Sequence, residues 1–201
     1  FDLLVRRLGA LANVSVVTLA RHAADVAEQG RGASQAVAVG LVRERLVRGV
    51  VEAAANDGLR YFARVADRPH FSAALAATFA DLREACVEPG SGWERQAADP
   101  GTRTAGAKGV DLGALYAAYC RRLDELALSD RAGVYLAAAG VIDEPADTIL
   151  YGIYDLNEAQ ERFVGALLAA GGDAFVPLGD DEDETFATTL AAARRAGLAE
   201  R

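Results

Sequence analysis

The stretch Ile149-Leu150-Tyr151-Gly152-Ile153-Tyr154-Asp155-Leu156-Asn157-Glu158-Ala159-Gln160-Glu161-Arg162-Phe163 reads as a short buried strand, a turn and the opening of a helix. Its apolar run is interrupted at Gly152, and beyond Asn157 the apolar residues fall at helical spacing. A nucleotide-hydrolysing enzyme needs carboxylates at the end of such a strand, because Mg²⁺ and the attacking water are held by hard oxygen ligands. Here that place belongs to Gly152 and Ile153. The stretch is therefore either an ATPase element that has lost its chemistry or a strand–helix joint that never had any.

Similar β–α signals lie toward both ends of the chain. Val14–Leu19 is short and β-branched, and Ala20–Gln29 follows as a helix closed by Gly30. Thr148–Ile153 is a strand, Asn157–Ala170 a helix ended by Gly171-Gly172, and Ala174–Val176 a second short strand before Pro177. Phe1–Ala12 is amphipathic, Gly179–Glu184 an acidic loop, and Thr185–Ala196 a final helix. Between these ends the pattern is helical. Ala33–Ala55 runs to the turn Asn56-Asp57-Gly58, Pro69 forces a new helix to start near His70, and that helix continues to about Val87. Glu88–Gly109 is rich in Gly and Pro and reads as a long loop. Asp111 is expected to cap the amphipathic helix Leu112–Leu126, and Ser129-Asp130 to cap another reaching Ala139.

The expected fold class is α/β: a parallel-sheet core interrupted by a mainly helical insert, helix-dominated overall. Val14–Leu19, Thr148–Ile153 and Ala174–Val176 are its expected parallel neighbours, since a strand followed by a crossover helix returns to a shared sheet. Residues 1–31 form part of that core, 32–140 the insert with its loop at 88–110, and 141–201 the return to the core.

With 201 residues the chain is long enough for one large domain or two small ones, and its 52% hydrophobic and 25% charged content is that of a globular protein. The net charge of −8 argues against coating nucleic acid with the whole surface, while leaving room for a local basic track. Cys86 and Cys120, the only cysteines, are far apart and lack metal-like spacing, so reduced, partly buried thiols are expected. No apolar run is long enough to span a bilayer, which gives the expectation of a cytoplasmic protein without a membrane partner. The chain opens on Phe1 and contains no Met, so it is expected to be a piece of something longer.

Few residues invite chemistry. No G-x-x-x-x-G-K-[ST] loop occurs, and the single lysine, Lys108, follows no strand. The run Asp180-Asp181-Glu182-Asp183-Glu184 lacks the alternating ligands and glycine of a calcium loop and reads as a solvated acidic loop. His22 and His70 stand apart from any nucleophile. Arg60, Tyr61, Phe62 and Trp93 suit base stacking, although aromatics at helical spacing are more often core. No catalytic residue, no metal and no bound cofactor is expected.

Three stretches carry a resemblance: Val16-Val17-Thr18-Leu19-Ala20-Arg21-His22-Ala23; Leu59 to Phe71 with Asp81-Leu82-Arg83; and Leu115 to Leu123 with Ser129-Asp130-Arg131. Together they resemble the N-terminal, superfamily 1 helicase-like (P-loop NTPase-like) half of the B subunit of AddAB/RexAB-type helicase–nucleases of bacterial DNA repair and recombination. The family's B subunits also lack the acidic pair that Gly152-Ile153 replaces, while Tyr154 to Gln160 keep the downstream cadence. The resemblance implies a non-catalytic segment of an ATP-dependent exonuclease complex, an inactive ATPase element, with single-stranded DNA and the helicase motor subunit as partners. It also implies that Thr18 and Arg21 touch backbone phosphate. Two alternatives stand beside it: a truncated active ATPase domain, which Gly152-Ile153 opposes, and a helical protein–protein interaction module without a nucleic acid role.

Overall fold

Two apolar clusters, each gathered by helices, organise the chain. The computed structural model describes residues 14–31, 35–68, 70–92, 103–142, 147–153 and 155–175. Its elements are α1 (Leu19–Arg31), α2 (Gly40–Asp57), a 3₁₀ turn (Phe62–Arg64), α3 (Phe71–Glu84), α4 (Arg103–Glu125), α5 (Arg131–Ala139), β1 (Ile149–Tyr151), α6 (Glu158–Ala169) and β2 (Asp173–Phe175).

The first cluster takes Val47, Val50 and Val51 from α2, Leu75, Ala76 and Phe79 from α3, and Leu115, Tyr116, Tyr119 and Leu123 from α4. These residues recur every three or four positions, so each helix turns one stripe inward. Phe79 lies between Tyr116 and Tyr119, with ring centroids 5.6 and 5.3 Å away. A side chain of this size taken fully out of water contributes about 1.5–3 kcal/mol, so the aromatic trio is a large part of what joins α3 to α4.

The second cluster joins α1, α5 and α6 through Ala23, Ala27, Ala132, Tyr135, Ala138, Ala159, Phe163, Val164 and Leu167, with Leu150 of β1. Its many alanines let the helices approach closely. Gly30, at the end of α1, is a further case: a Cβ there would meet Val141 at 2.5 Å. The two clusters meet where α3 packs against α5 and α6, and beside the start of α5 residues 36–38 run parallel to residues 128–130. Ala38 N–H donates to Ser129 O at 2.7 Å, and Ser129 N–H donates to Ala36 O at 2.9 Å.

The expected parallel-sheet, helicase-like core is not what the described residues form. Their only sheet has two three-residue strands, β1 and β2, paired in parallel with Leu150 opposite Ala174. Val14–Leu19 is no strand. Val16 is 76% exposed, and the Thr18 hydroxyl accepts the Arg21 N–H at 3.2 Å, which makes Thr18 the cap of α1. β-branched residues favour a strand only when a neighbouring strand receives them, and here the Thr competes as a helix start.

The loop expected at 88–110 is also shorter than its composition suggested. Residues 103–110 already belong to α4, and Lys108 lies in that helix. Buried Gly109 and Gly113 lie on α4, and packing there overrides a helix penalty of about 1 kcal/mol per glycine. Asp111 consequently sits inside α4 and caps a different element. Its Oδ2 accepts the N–H groups of Arg60, Tyr61 and Phe62 at 3.0, 2.8 and 3.1 Å, holding the 3₁₀ turn against the helix. Residues 1–12, Trp93, the acidic run 180–184 and the expected helix 185–196 lie outside the described residues.

Asp111→Ala removes one buried acceptor from three amides at once and should lower the unfolding free energy by about 3 kcal/mol, measured by urea titration. Asp111→Asn, which keeps a carbonyl oxygen, should lose less. A change of a few tenths for both, as at an exposed position, would contradict the role given to this carboxylate.

Candidate functional site

The joint between β1 and α6 is where the sequence most invited a nucleotide site. Gly152 leaves the strand at φ 63°, and its N–H donates to Phe175 O at 3.0 Å, extending the pairing by one residue. Asn157 and Gln160 form a reciprocal cap: Asn157 Oδ1 accepts the Gln160 N–H, and Gln160 Oε1 accepts the Asn157 N–H, both at 3.0 Å. The remaining capacity of both side chains reaches other helices. Asn157 Nδ2 donates to Glu84 Oε2 at 3.0 Å, and Gln160 Nε2 donates to the Tyr135 hydroxyl at 3.4 Å. The polar cadence of the stretch thus starts α6 and ties it to α3 and α5.

Thr18 and Arg21 are brought together at the start of α1. The Thr18 hydroxyl is occupied by the Arg21 amide. The guanidinium is 69% exposed but forked onto Asp25, with Nε–Oδ2 at 3.0 Å and Nη2–Oδ1 at 2.9 Å. A phosphate would have to compete with that carboxylate. The other sequence candidates are scattered. His22 sits 5.8 Å from the Phe163 ring, and His70 precedes α3 in the left-handed region at φ 68°. Phe62 is buried in the first cluster against Phe71, with Tyr61 edge-on to it. Among the described residues no group of three or more His, Cys, Asp and Glu is placed to hold a metal ion.

Sequence reasoning missed the most developed polar cluster. A cleft of about 620 Å³ is lined by residues that include Arg83, Cys120, Arg121, Asp124, Ser129 and Asp130. Arg83 Nε donates to Asp130 Oδ2 at 2.9 Å, and Asp130 Oδ1 accepts the Gly133 N–H at 2.7 Å, capping α5. Gly133 is required by this closeness, since a Cβ there would lie 2.6 Å from Ser129 Oγ. Burial works against the Arg83 cation, but the charge and hydrogen bond of Asp130 offset it and leave the guanidinium more basic than an ordinary arginine. Burial pushes the Cys120 thiol up, against the opposing effects of Arg83 and Tyr116, so it is no activated nucleophile. Cys86 is pushed up by burial too. The arrangement suits a structural ion pair. Asp130 was legible as a cap, but nothing local in the sequence points from it to Arg83, 47 residues away.

Asp130→Ala leaves Arg83 charged and half-buried without its partner, and should cost about 3 kcal/mol in urea unfolding. In an Arg83→Met background the same substitution should cost no more than roughly 1 kcal/mol, since loss of the cap is offset by removal of a buried carboxylate that has no cation. Equal costs in both backgrounds would show the pair to be uncoupled.

The partly buried thiols and the buried phenols also set an alkaline limit. Cys86 and Cys120 lie above their ordinary 9.0, and Tyr116 and Tyr119 above their ordinary 10.0, burial being the largest cause in each. A pKa raised on folding gives stability that is complete below the unfolded value and is lost as pH rises through the folded one. Melting temperature should therefore be insensitive to these groups at neutral pH and fall steadily above the ordinary thiol value. A flat profile through that range would refute the assignment.

Among the described residues no helix is long and apolar enough to cross a membrane. No protein-family model matches the chain, and no curated protein matches it.

Proposed function

We propose that this chain is a non-catalytic segment of a DNA break-repair helicase–nuclease, and that its part there is to hold a partner subunit rather than to turn over nucleotide. The observation that carries this reading is the fate of the polar residues at the β1–α6 joint. Where an ATPase would present carboxylates to Mg²⁺ and water the chain has Gly152 and Ile153, and the polar residues that follow, Asn157 and Gln160, are spent on starting a helix and binding it to its neighbours. The resemblance of the three stretches supports the complex in which such a segment would work.

Contact with single-stranded DNA through Thr18 and Arg21 is the second reading, favoured by their placement at a helix start, whose first amides have no intrahelical partner. The charge of −8 makes such binding weak and steeply dependent on salt. The Asp25 fork on Arg21 gives the reading a sharp test.

In anisotropy titrations with a labelled oligothymidylate, binding should be seen only at low ionic strength. Arg21→Ala should weaken it and lower the slope of log K against log salt by about 0.7, the single-strand value for one phosphate. Asp25→Asn, by releasing Arg21, should tighten it, and His70→Ala should leave it unchanged. Equal losses from Arg21→Ala and His70→Ala, or no binding at low salt, would reject the nucleic acid contact and leave a partner-holding segment.

A further inference from the structure

Strand geometry places alternate residues on opposite faces of β1 and β2. Leu150 and Ala174 turn onto the second cluster, so Ile149, Tyr151, Asp173 and Phe175 share the outer face, in the register Ile149 opposite Asp173 and Tyr151 opposite Phe175. Ile149, Tyr151 and Phe175 are 75%, 73% and 58% exposed. The two rings lie nearly parallel, 13° apart with centroids at 5.6 Å. Parallel strands are ordinarily covered on both faces, and three large apolar side chains this exposed on so small a face are unlike the scattered single ones of a protein surface.

Charge decides what covers it. Asp173 is exposed and takes part in none of the ion pairs among the described residues, and the same holds for Asp147 and Asp155 in the flanking segments. An aromatic face attracts a cation, and a carboxylate beside it fixes that cation in place. Arginine fits both demands, since its plane stacks on a ring while its fork meets a carboxylate. Nucleic acid would bring phosphates against these exposed aspartates. A second copy in a two-fold pairing would set this same face, with its Asp173 and no cation, against itself.

We propose that the outer face of the β1–β2 pair docks a basic segment of a partner protein, with Tyr151 and Phe175 receiving an arginine side chain and Asp173 pairing with its charge. The proposal deepens the partner-holding reading and rests on it, but it needs no nucleic acid contact.

The test uses the full chain and a fluorescein-labelled peptide of alternating Arg and Gly, with a Glu–Gly peptide as the reversed charge. The Arg peptide should bind at physiological ionic strength and the Glu peptide should not. Tyr151→Leu, which keeps apolar volume and removes the ring, should weaken binding roughly five-fold, and Asp173→Asn by a similar factor. Glu52→Gln, an exposed carboxylate on α2, should leave binding within about two-fold, the scatter expected of a rim charge. Circular dichroism melts should overlay for all variants, because every substituted position is exposed. Equal losses from Glu52→Gln and Asp173→Asn would reduce the effect to general attraction by net charge and overturn the proposal. So would an unchanged affinity in Tyr151→Leu. Light scattering that shows a dimer dissolved by Tyr151→Leu would give the face to a second copy, and oligothymidylate binding lost in Tyr151→Leu would give it to nucleic acid. Either result overturns the proposal. The oligonucleotide and peptide titrations report on different residues, so either reading can fail alone.

Discussion

Asp130 is the residue on which the two halves of the described structure converge. One carboxylate oxygen caps α5, which belongs to the second cluster, and the other pairs with Arg83 of α3, which belongs to the first. The residue before it, Ser129, is bridged to residues 36–38, through which the chain enters α2. Taking a carboxylate to 5% exposure is unfavourable unless its oxygens are satisfied, and here both are. The pair adds little net energy over a well-packed apolar substitute, but it fixes the distance and angle between helices that alanine-rich contacts would leave free to slide.

Asp111 and Asn157 repeat the device with different chemistry. Each is a short polar side chain that could have competed with its own helix, and each instead joins elements far apart in sequence. A chain with so many small apolar residues has little volume complementarity to specify one packing. Directional hydrogen bonds between elements supply the specificity, and Asp111, Ser129 and Asp130 are buried at such joints.

This division explains what could be read in the sequence. The apolar stripes of α2, α3 and α4 and the cap at Asp130 follow local rules of period and capping, and of the three strands expected side by side only the two near residues 150 and 174 pair. What was not legible depended on distant partners. Val14–Val17 has strand composition but no strand beside it among the described residues, and Asp111 looks like a helix start because its three amide donors lie about fifty residues upstream. Helix ends were also hidden. α3 and α4 both close with a left-handed residue where glycine is usual, but the residues are Cys86 at φ 51° and Ala127 at φ 49°. A reader looking for glycine finds it at Gly171, after α6, and nowhere at the other two.

Buried polar groups that hold helices are already committed, so whatever the chain recognises must use groups the fold leaves over. On the described surface those include an aromatic pair with exposed carboxylates on the open sheet face, and a guanidinium at the start of α1 held in check by Asp25. The first is preorganised: its rings are set by strand register and need little ordering when a ligand arrives, and its charge agrees with that of the whole chain. The second must break an ion pair and work against that charge. Electrostatics and preorganisation therefore point the same way on the sheet face and against each other at Arg21, which ranks protein recognition ahead of nucleic acid recognition for this chain.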